Sequence, residues 1–145
     1  MPSDSSPRLG QAQRSSPALR VLAVDPDASF LTAVKRVVES GRCRVDCAAT
    51  AAEAVAFLER HQYDLVIADL RMPELGATEL YARVAAQVQD GMRLLFLAAE
   101  PPAAELRHFL EEQRFTCLPK PLHLRRFLDK LDDMLLLALQ PPEED

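Results

Sequence analysis

A chain of 145 residues with 48% hydrophobic content is long enough to bury one real core and too short to expect a second domain. Its 22 acidic residues outnumber 17 basic ones, giving a net charge of −5, and the Arg residues are scattered among Glu and Asp. That balance argues against nucleic acid as a direct partner, because phosphate binding needs a clustered basic surface.

The longest apolar stretch, at 134–139, falls far below the ~20 residues of a membrane span and lies at the wrong end for a signal peptide. The expectation is a cytoplasmic protein that does not use a membrane. Three cysteines, Cys43, Cys47 and Cys117, lack metal-site spacing and read as small, reduced, buried hydrophobes.

Residues 1–18 carry Pro2, Pro7 and Pro17 among many Ser and Gln, without apolar periodicity, and read as a disordered tail. A first strand at 20–24 leads into a helix with Phe30, Leu31, Val34, Val37 and Val38 on one face, closing at Gly41. A weaker strand at 44–48 precedes Thr50-Ala51-Ala52-Glu53, a capping-box pattern, so Thr50 reads as a cap rather than a catalytic hydroxyl. The helix that follows carries Val55, Phe57 and Leu58.

Next come an apolar strand ending at Asp69, a helix over 77–86 after Gly76, and a strand over 93–98. Pro102 is placed as the first helical residue of an element burying Leu106, Phe109 and Leu110. A last short strand and a helix over 123–139 complete five β/α pairs, with 140–145 as a C-terminal tail. The folded domain is expected over 19–139. Strands alternating with helices across short connections predict a five-stranded parallel sheet, doubly wound, with helices on both faces.

Three of these strands end alike. Val21-Leu22-Ala23-Val24 runs into Asp25-Pro26-Asp27, Leu65-Val66-Ile67-Ala68 into Asp69-Leu70-Arg71-Met72-Pro73, and the last strand into Lys120-Pro121. In an open α/β sheet the carboxyl ends of strands are where ligands and chemistry sit. Alone, a strand-end Asp is better read as a cap or turn former. Two or three carboxylates and one ammonium gathered at one sheet edge instead make a cradle for a divalent cation and a phosphoryl group. A nucleotide or flavin binder of the same fold class would want a Gly-rich loop after the first strand, which a chain with four glycines lacks. His61, His108 and His123 lie on helical or loop stretches, and no Ser/His/Asp or Cys/His set is suggested.

The segments VLAVDPD, VIADLRMPELGATEL and FTCLPKPL, in this order and at these separations, resemble the receiver domain of bacterial two-component response regulators over residues 20–139. The resemblance implies a flavodoxin-like receiver fold and a phosphoacceptor rather than an enzyme, with at most slow self-phosphorylation and self-dephosphorylation. It implies that Asp69 receives a phosphoryl group from a histidine kinase or phosphotransfer protein and that Lys120 contacts the phosphoryl oxygens. It also implies that Asp25, together with Asp69, helps hold Mg²⁺, and that Lys120-Pro121 is a cis peptide. The chemistry suits these residue types. A carboxylate approaching a phosphoryl group brings two anions together, so a divalent cation and an ammonium must neutralise the transferring oxygens.

Three positions depart from the family pattern. The second acid of the acidic pair falls on Pro26, which leaves Asp27 as the nearest replacement metal ligand; the competing role for Asp27 is to cap the helix beginning at Ala28. The hydroxyl residue ending the fourth strand is Ala98, and the aromatic residue three positions before the Lys is Cys117. A weak Mg²⁺ site and an altered switch are therefore expected. The alternative is a phosphorylation-independent interaction module whose Asp69 never reacts. Arg71 and Glu100, each two residues past a strand end, are expected to pair over the site. On the final helix, Leu124, Phe127, Leu128, Leu131 and Leu135 should face the sheet. The remaining Leu136, Leu137 and Leu139 should form an exposed patch that mediates a homodimer or docks a partner.

Overall fold

Apolar runs and amphipathic stretches alternate along the chain as β1 (Leu19–Val24), α1 (Ala28–Glu39), β2 (Cys43–Ala48), α2 (Ala51–Arg60), β3 (Leu65–Asp69), α3 (Ala77–Gln87), β4 (Arg93–Ala98), α4 (Ala104–Gln113), β5 (Thr116–Pro119) and α5 (Leu124–Leu139). The computed structural model describes residues 19–39, 43–87 and 93–139 and, within them, the side chains other than those at 86, 87, 93 and 136–139. The tails expected at 1–18 and 140–145, the helix end expected at Gly41, and the side chains of Leu136, Leu137 and Leu139 lie outside the described residues.

The strands form one sheet in the order β2-β1-β3-β4-β5, every pair parallel as the alternation predicts. Because successive side chains point to opposite faces, each central strand feeds two cores. Val21, Ala23, Leu65, Ile67, Leu95 and Leu97 pack on one face with Leu31, Val34 and Val38 of α1 and Phe127, Leu131 and Leu135 of α5. Leu22, Val24, Val66, Ala68, Leu94 and Phe96 pack on the other face against α2, α3 and α4. Strand segments buried on both faces must be apolar, and Val21–Val24, Leu65–Ala68 and Leu94–Ala98 are. Among the described residues no helix is long and apolar enough to cross a membrane.

Local signals fix several helix starts. Thr50 Oγ1 accepts the Glu53 N–H at 3.1 Å while Glu53 Oε1 reaches back to the Ala49 N–H at 2.8 Å, so Thr50 is a cap as expected. Pro102 is not the first helical residue. Ala103 takes the cap position with extended backbone (φ −63°, ψ 162°), so α4 begins at Ala104 and Pro102 falls in the lead before it. His123 likewise precedes α5, its Nδ1 accepting the Arg126 N–H at 3.3 Å. Leu124 does not face the sheet as expected. It is 56% exposed at the first position of α5.

At the outer strand β2, two side chains of α1 meet the backbone of Val45. Glu39 Oε2 accepts its N–H at 3.1 Å, and Lys35 Nζ donates to its carbonyl at 3.0 Å and to Glu39 Oε2 at 3.1 Å. Near the amino end of β3, the buried Tyr63 donates its hydroxyl to Asp46 Oδ2 at 2.7 Å, and the Arg20 guanidinium lies 5.7 Å from the Tyr63 ring centroid. Burial, reinforced by that hydrogen bond, pushes the Tyr63 hydroxyl above its usual pKa.

Candidate functional site

The sheet register explains how distant residues come together. Val24 pairs with Ala68, so the residues that follow, Asp25 and Asp69, leave β1 and β3 side by side at the carboxyl edge. This is also where the strand order reverses direction, the usual crevice of an open α/β sheet. Ala98 of β4 pairs with Pro119 of β5, and Lys120 is the next residue. Backbone bonds continue beyond the strands: Asp25 N–H to Ala48 O at 3.0 Å, Leu70 N–H to Leu97 O at 2.7 Å, and Lys120 N–H to Ala98 O at 2.8 Å. They fix the three chain segments from which the side chains project.

Lys120 Nζ donates to Asp25 Oδ2 at 2.6 Å and to Asp69 Oδ2 at 2.8 Å. Side-chain exposure is 17% for Lys120, 2% for Asp25 and 11% for Asp69, so the ion triad is largely withdrawn from water. Burial opposes the Lys120 charge, but the hydrogen bonds and charges of Asp25 and Asp69 outweigh it and hold Lys120 above the usual lysine pKa. The Lys120-Pro121 peptide is cis, in accord with the expectation.

The remaining carboxylate oxygens also have partners. Asp25 Oδ1 accepts the Asp27 N–H at 2.9 Å, and Asp69 Oδ1 accepts the Arg71 N–H at 2.7 Å. Asp27 turns away to cap α1, its Oδ1 accepting the N–H groups of Ser29 at 3.0 Å and Phe30 at 3.2 Å. One neighbour was not foreseen from the sequence: the Phe30 ring, whose centroid is 4.5 Å from Lys120 Nζ. Its only sequence signal is position, one turn into the helix that Asp27 begins.

The receiver-domain model of response regulators matches residues 21–132, most of the chain. This chain belongs to that family. Receiver domains are phosphoacceptor signalling domains that bind Mg²⁺ at the phosphorylation site and interact with histidine kinases or phosphotransfer proteins. The non-phosphorylated HemR receiver domain from Leptospira biflexa superposes with a TM-score of 0.72 at 30% identity, covering 87% of this chain and 99% of that one. A CheY-like receiver domain protein from Methanospirillum hungatei gives 0.74 at 26% identity, covering 84% of this chain and 97% of that one. The transcriptional regulatory protein GlrR of Escherichia coli is 31% identical over 115 residues, which is 79% of this chain and 26% of GlrR. The receiver domain thus spans about a quarter of the length of that relative.

The donor set of this receiver domain fits a minimal Mg²⁺ site. Mg²⁺ takes one or two protein carboxylates and completes its octahedron with waters and phosphate oxygens. Asp25 and Asp69 supply two; Pro26 supplies none, and the Asp27 carboxylate is engaged as a cap. Among the described residues no group of three or more His, Cys, Asp and Glu is assembled for a metal.

The other departures cluster on the β4 and β5 side. Ala98 is buried and offers a methyl group where the family resemblance places a hydroxyl. Cys117 is half-buried; burial, with the Asp69 charge behind it, pushes its thiol above the usual pKa and keeps it protonated. The register partner of Cys117 on β4 is Phe96, and a further ring, Phe115, stands two residues before Cys117 in the chain. Phe115, partly buried, packs edge-on against Phe96 at 5.7 Å and Tyr81 at 5.4 Å between centroids, against the core on the α3 and α4 side. Arg71 Nη1 meets Glu100 Oε1 at 2.8 Å, forming the expected pair, with side-chain exposures of 65% and 70%.

Proposed function

We propose that this receiver domain accepts a phosphoryl group on Asp69 from a phosphohistidine of a histidine kinase or phosphotransfer protein in the cytoplasm. The observation that carries the reading is the Lys120 ammonium lying between Asp25 and Asp69 at the switch point of the sheet. A carboxylate oxygen of Asp69 forms the new P–O bond as the P–N bond of the phosphohistidine breaks. The imidazole keeps the bonding electron pair and takes up a proton. Lys120, a compact charge on a flexible stem, follows the incoming phosphoryl oxygens and neutralises them. Bound Mg²⁺ would be held by Asp25 and Asp69 and would supply charge neutralisation on the transferring oxygens. With Pro26 in place of a ligand, its affinity is lower than in receivers with two acids.

The signal differs as well. Phosphorylation shifts an equilibrium only through contacts that differ between the two states, and Ala98 and Cys117 provide neither a hydroxyl nor a ring to make them. The test is incubation with Mg²⁺ and acetyl phosphate followed by intact-mass measurement. One added phosphate that disappears in Asp69→Asn supports the reading. A wild type that never labels, under this donor or a phosphorylated kinase, leaves the phosphorylation-independent interaction module. Self-association through the end of α5 belongs to the same reading. Sedimentation of the wild type against a Leu136→Glu, Leu137→Glu double variant tests it, and a wild type that stays monomeric at high concentration refutes the dimer.

A further inference from the structure

We propose that Phe30 is a positioning residue for Lys120. The face of its ring takes the third side of the ammonium and holds it between Asp25 and Asp69. An ammonium has three donors and no acceptor. Two of them go to the carboxylates at 2.6 and 2.8 Å, and the ring centroid stands 4.5 Å from the same nitrogen. An aromatic face carries negative potential, so it attracts a cation without offering a lone pair that competes with the carboxylates.

The ring is placed by the turn that also builds the site. Asp25 Oδ1 accepts the Asp27 N–H, Asp27 Oδ1 accepts the Phe30 N–H, the Phe30 ring meets Lys120, and Lys120 returns to Asp25 Oδ2. This closed circuit links the β1–α1 turn to the residue after β5. The residue also packs against the α1 and α5 side of the core, which anchors it while its ring lies over the charge. A Leu at this position would cover comparable apolar surface but would lack the quadrupole. The consequence is a Lys120 held by one soft contact on its third side, shielded from water there and free to move onto a phosphoryl oxygen.

The chain has only three lysines, Lys35, Lys120 and Lys130, so a sample labelled with ¹³C-lysine gives few signals, and Lys120→Arg assigns the one that matters. The Lys120 ε-methylene protons should resonate upfield of the other two through the ring current of Phe30. The shift should vanish in Phe30→Leu and persist in Phe30→Tyr. Ordinary Lys120 shifts in the folded wild type overturn the proposal without any variant. A second measurement rests on the phosphoacceptor reading above: saturation of Asp69 labelling with acetyl phosphate. The maximal rate should fall two- to five-fold in Phe30→Leu, the factor that about 0.5–1 kcal/mol of cation–π attraction gives, with the half-saturating donor concentration unchanged and the rate restored in Phe30→Tyr. An unchanged rate after the ring-current shift is lost overturns the positioning role. A wild type that is never labelled refutes the phosphoacceptor reading instead, while the spectral measurement still decides whether Phe30 holds Lys120.

Discussion

Replacing Lys120 by Met removes the single cation that Asp25 Oδ2 and Asp69 Oδ2 share and keeps most of the aliphatic stem. Breaking a buried ion pair by deleting one partner typically costs about 3–5 kcal/mol, because an uncompensated charge stays inside. Asp25 is 2% exposed but Lys120 is 17% exposed, so water reaches part of the triad and the lower end applies, about 3 kcal/mol. With a urea dependence of about 2 kcal/mol per M, the unfolding midpoint should drop by roughly 1.5 M. In an Asp25→Asn background the same substitution should cost markedly less, since one carboxylate no longer needs the charge.

Mg²⁺ adds a second axis. At ten times its dissociation constant it should stabilise the Lys120→Met protein by about 1.4 kcal/mol. The wild type should gain less at the same concentration, because its own ammonium already occupies the space between the carboxylates. A loss under about 1 kcal/mol, or equal Mg²⁺ stabilisation of both proteins, would refute the reading of Lys120 as the buried counter-ion.

Pro26→Asp should tighten Mg²⁺ binding by restoring an anionic oxygen beside Asp25, and titration calorimetry with unchanged affinity would mean the site is closed to a third ligand. Glu100→Gln should speed both acetyl-phosphate labelling and hydrolysis by loosening the Arg71 pair over the site, while changing stability by less than about 1 kcal/mol because the pair is mostly exposed; unaltered rates would refute its covering role. Tyr63 and Lys120 both have folded pKa values above their unfolded ones, so the stability they contribute is complete below about pH 10 and lost as the pH rises through the folded values. Denaturation across pH 8–11 should show Tyr63→Phe flattening the alkaline decline, and an identical slope would count against the buried Tyr63–Asp46 hydrogen bond.

The parallel, doubly wound sheet was legible because five apolar runs alternate with amphipathic stretches, and such alternation calls for parallel crossovers. The meeting of Asp25, Asp69 and Lys120 was legible for the same reason: three strands of one parallel sheet must end at one edge. What periodicity could not supply was depth along a helix axis. It assigned Phe30 and Leu124 to apolar faces, yet both lie in the first turn of their helices, near where the sheet ends. There Phe30 finds a cation and Leu124 finds water. The start of α4 was misplaced because a proline suits both the first helical position and the extended lead before it, and Ala103 chose the second.

The contacts of Lys35 and Glu39 with Val45 decide how this domain can grow. An outer strand is an open template, and any passing strand that matches its row of N–H and C=O groups can lengthen the sheet. Here a carboxylate and an ammonium from one helix stand in for that stranger, answering the N–H and the C=O of the same residue as a sixth strand would. At the opposite margin β5 offers only four residues and ends in Pro119, which has no N–H to give. At Val45 on one margin and Pro119 on the other, an added strand would find its ladder position already taken or missing.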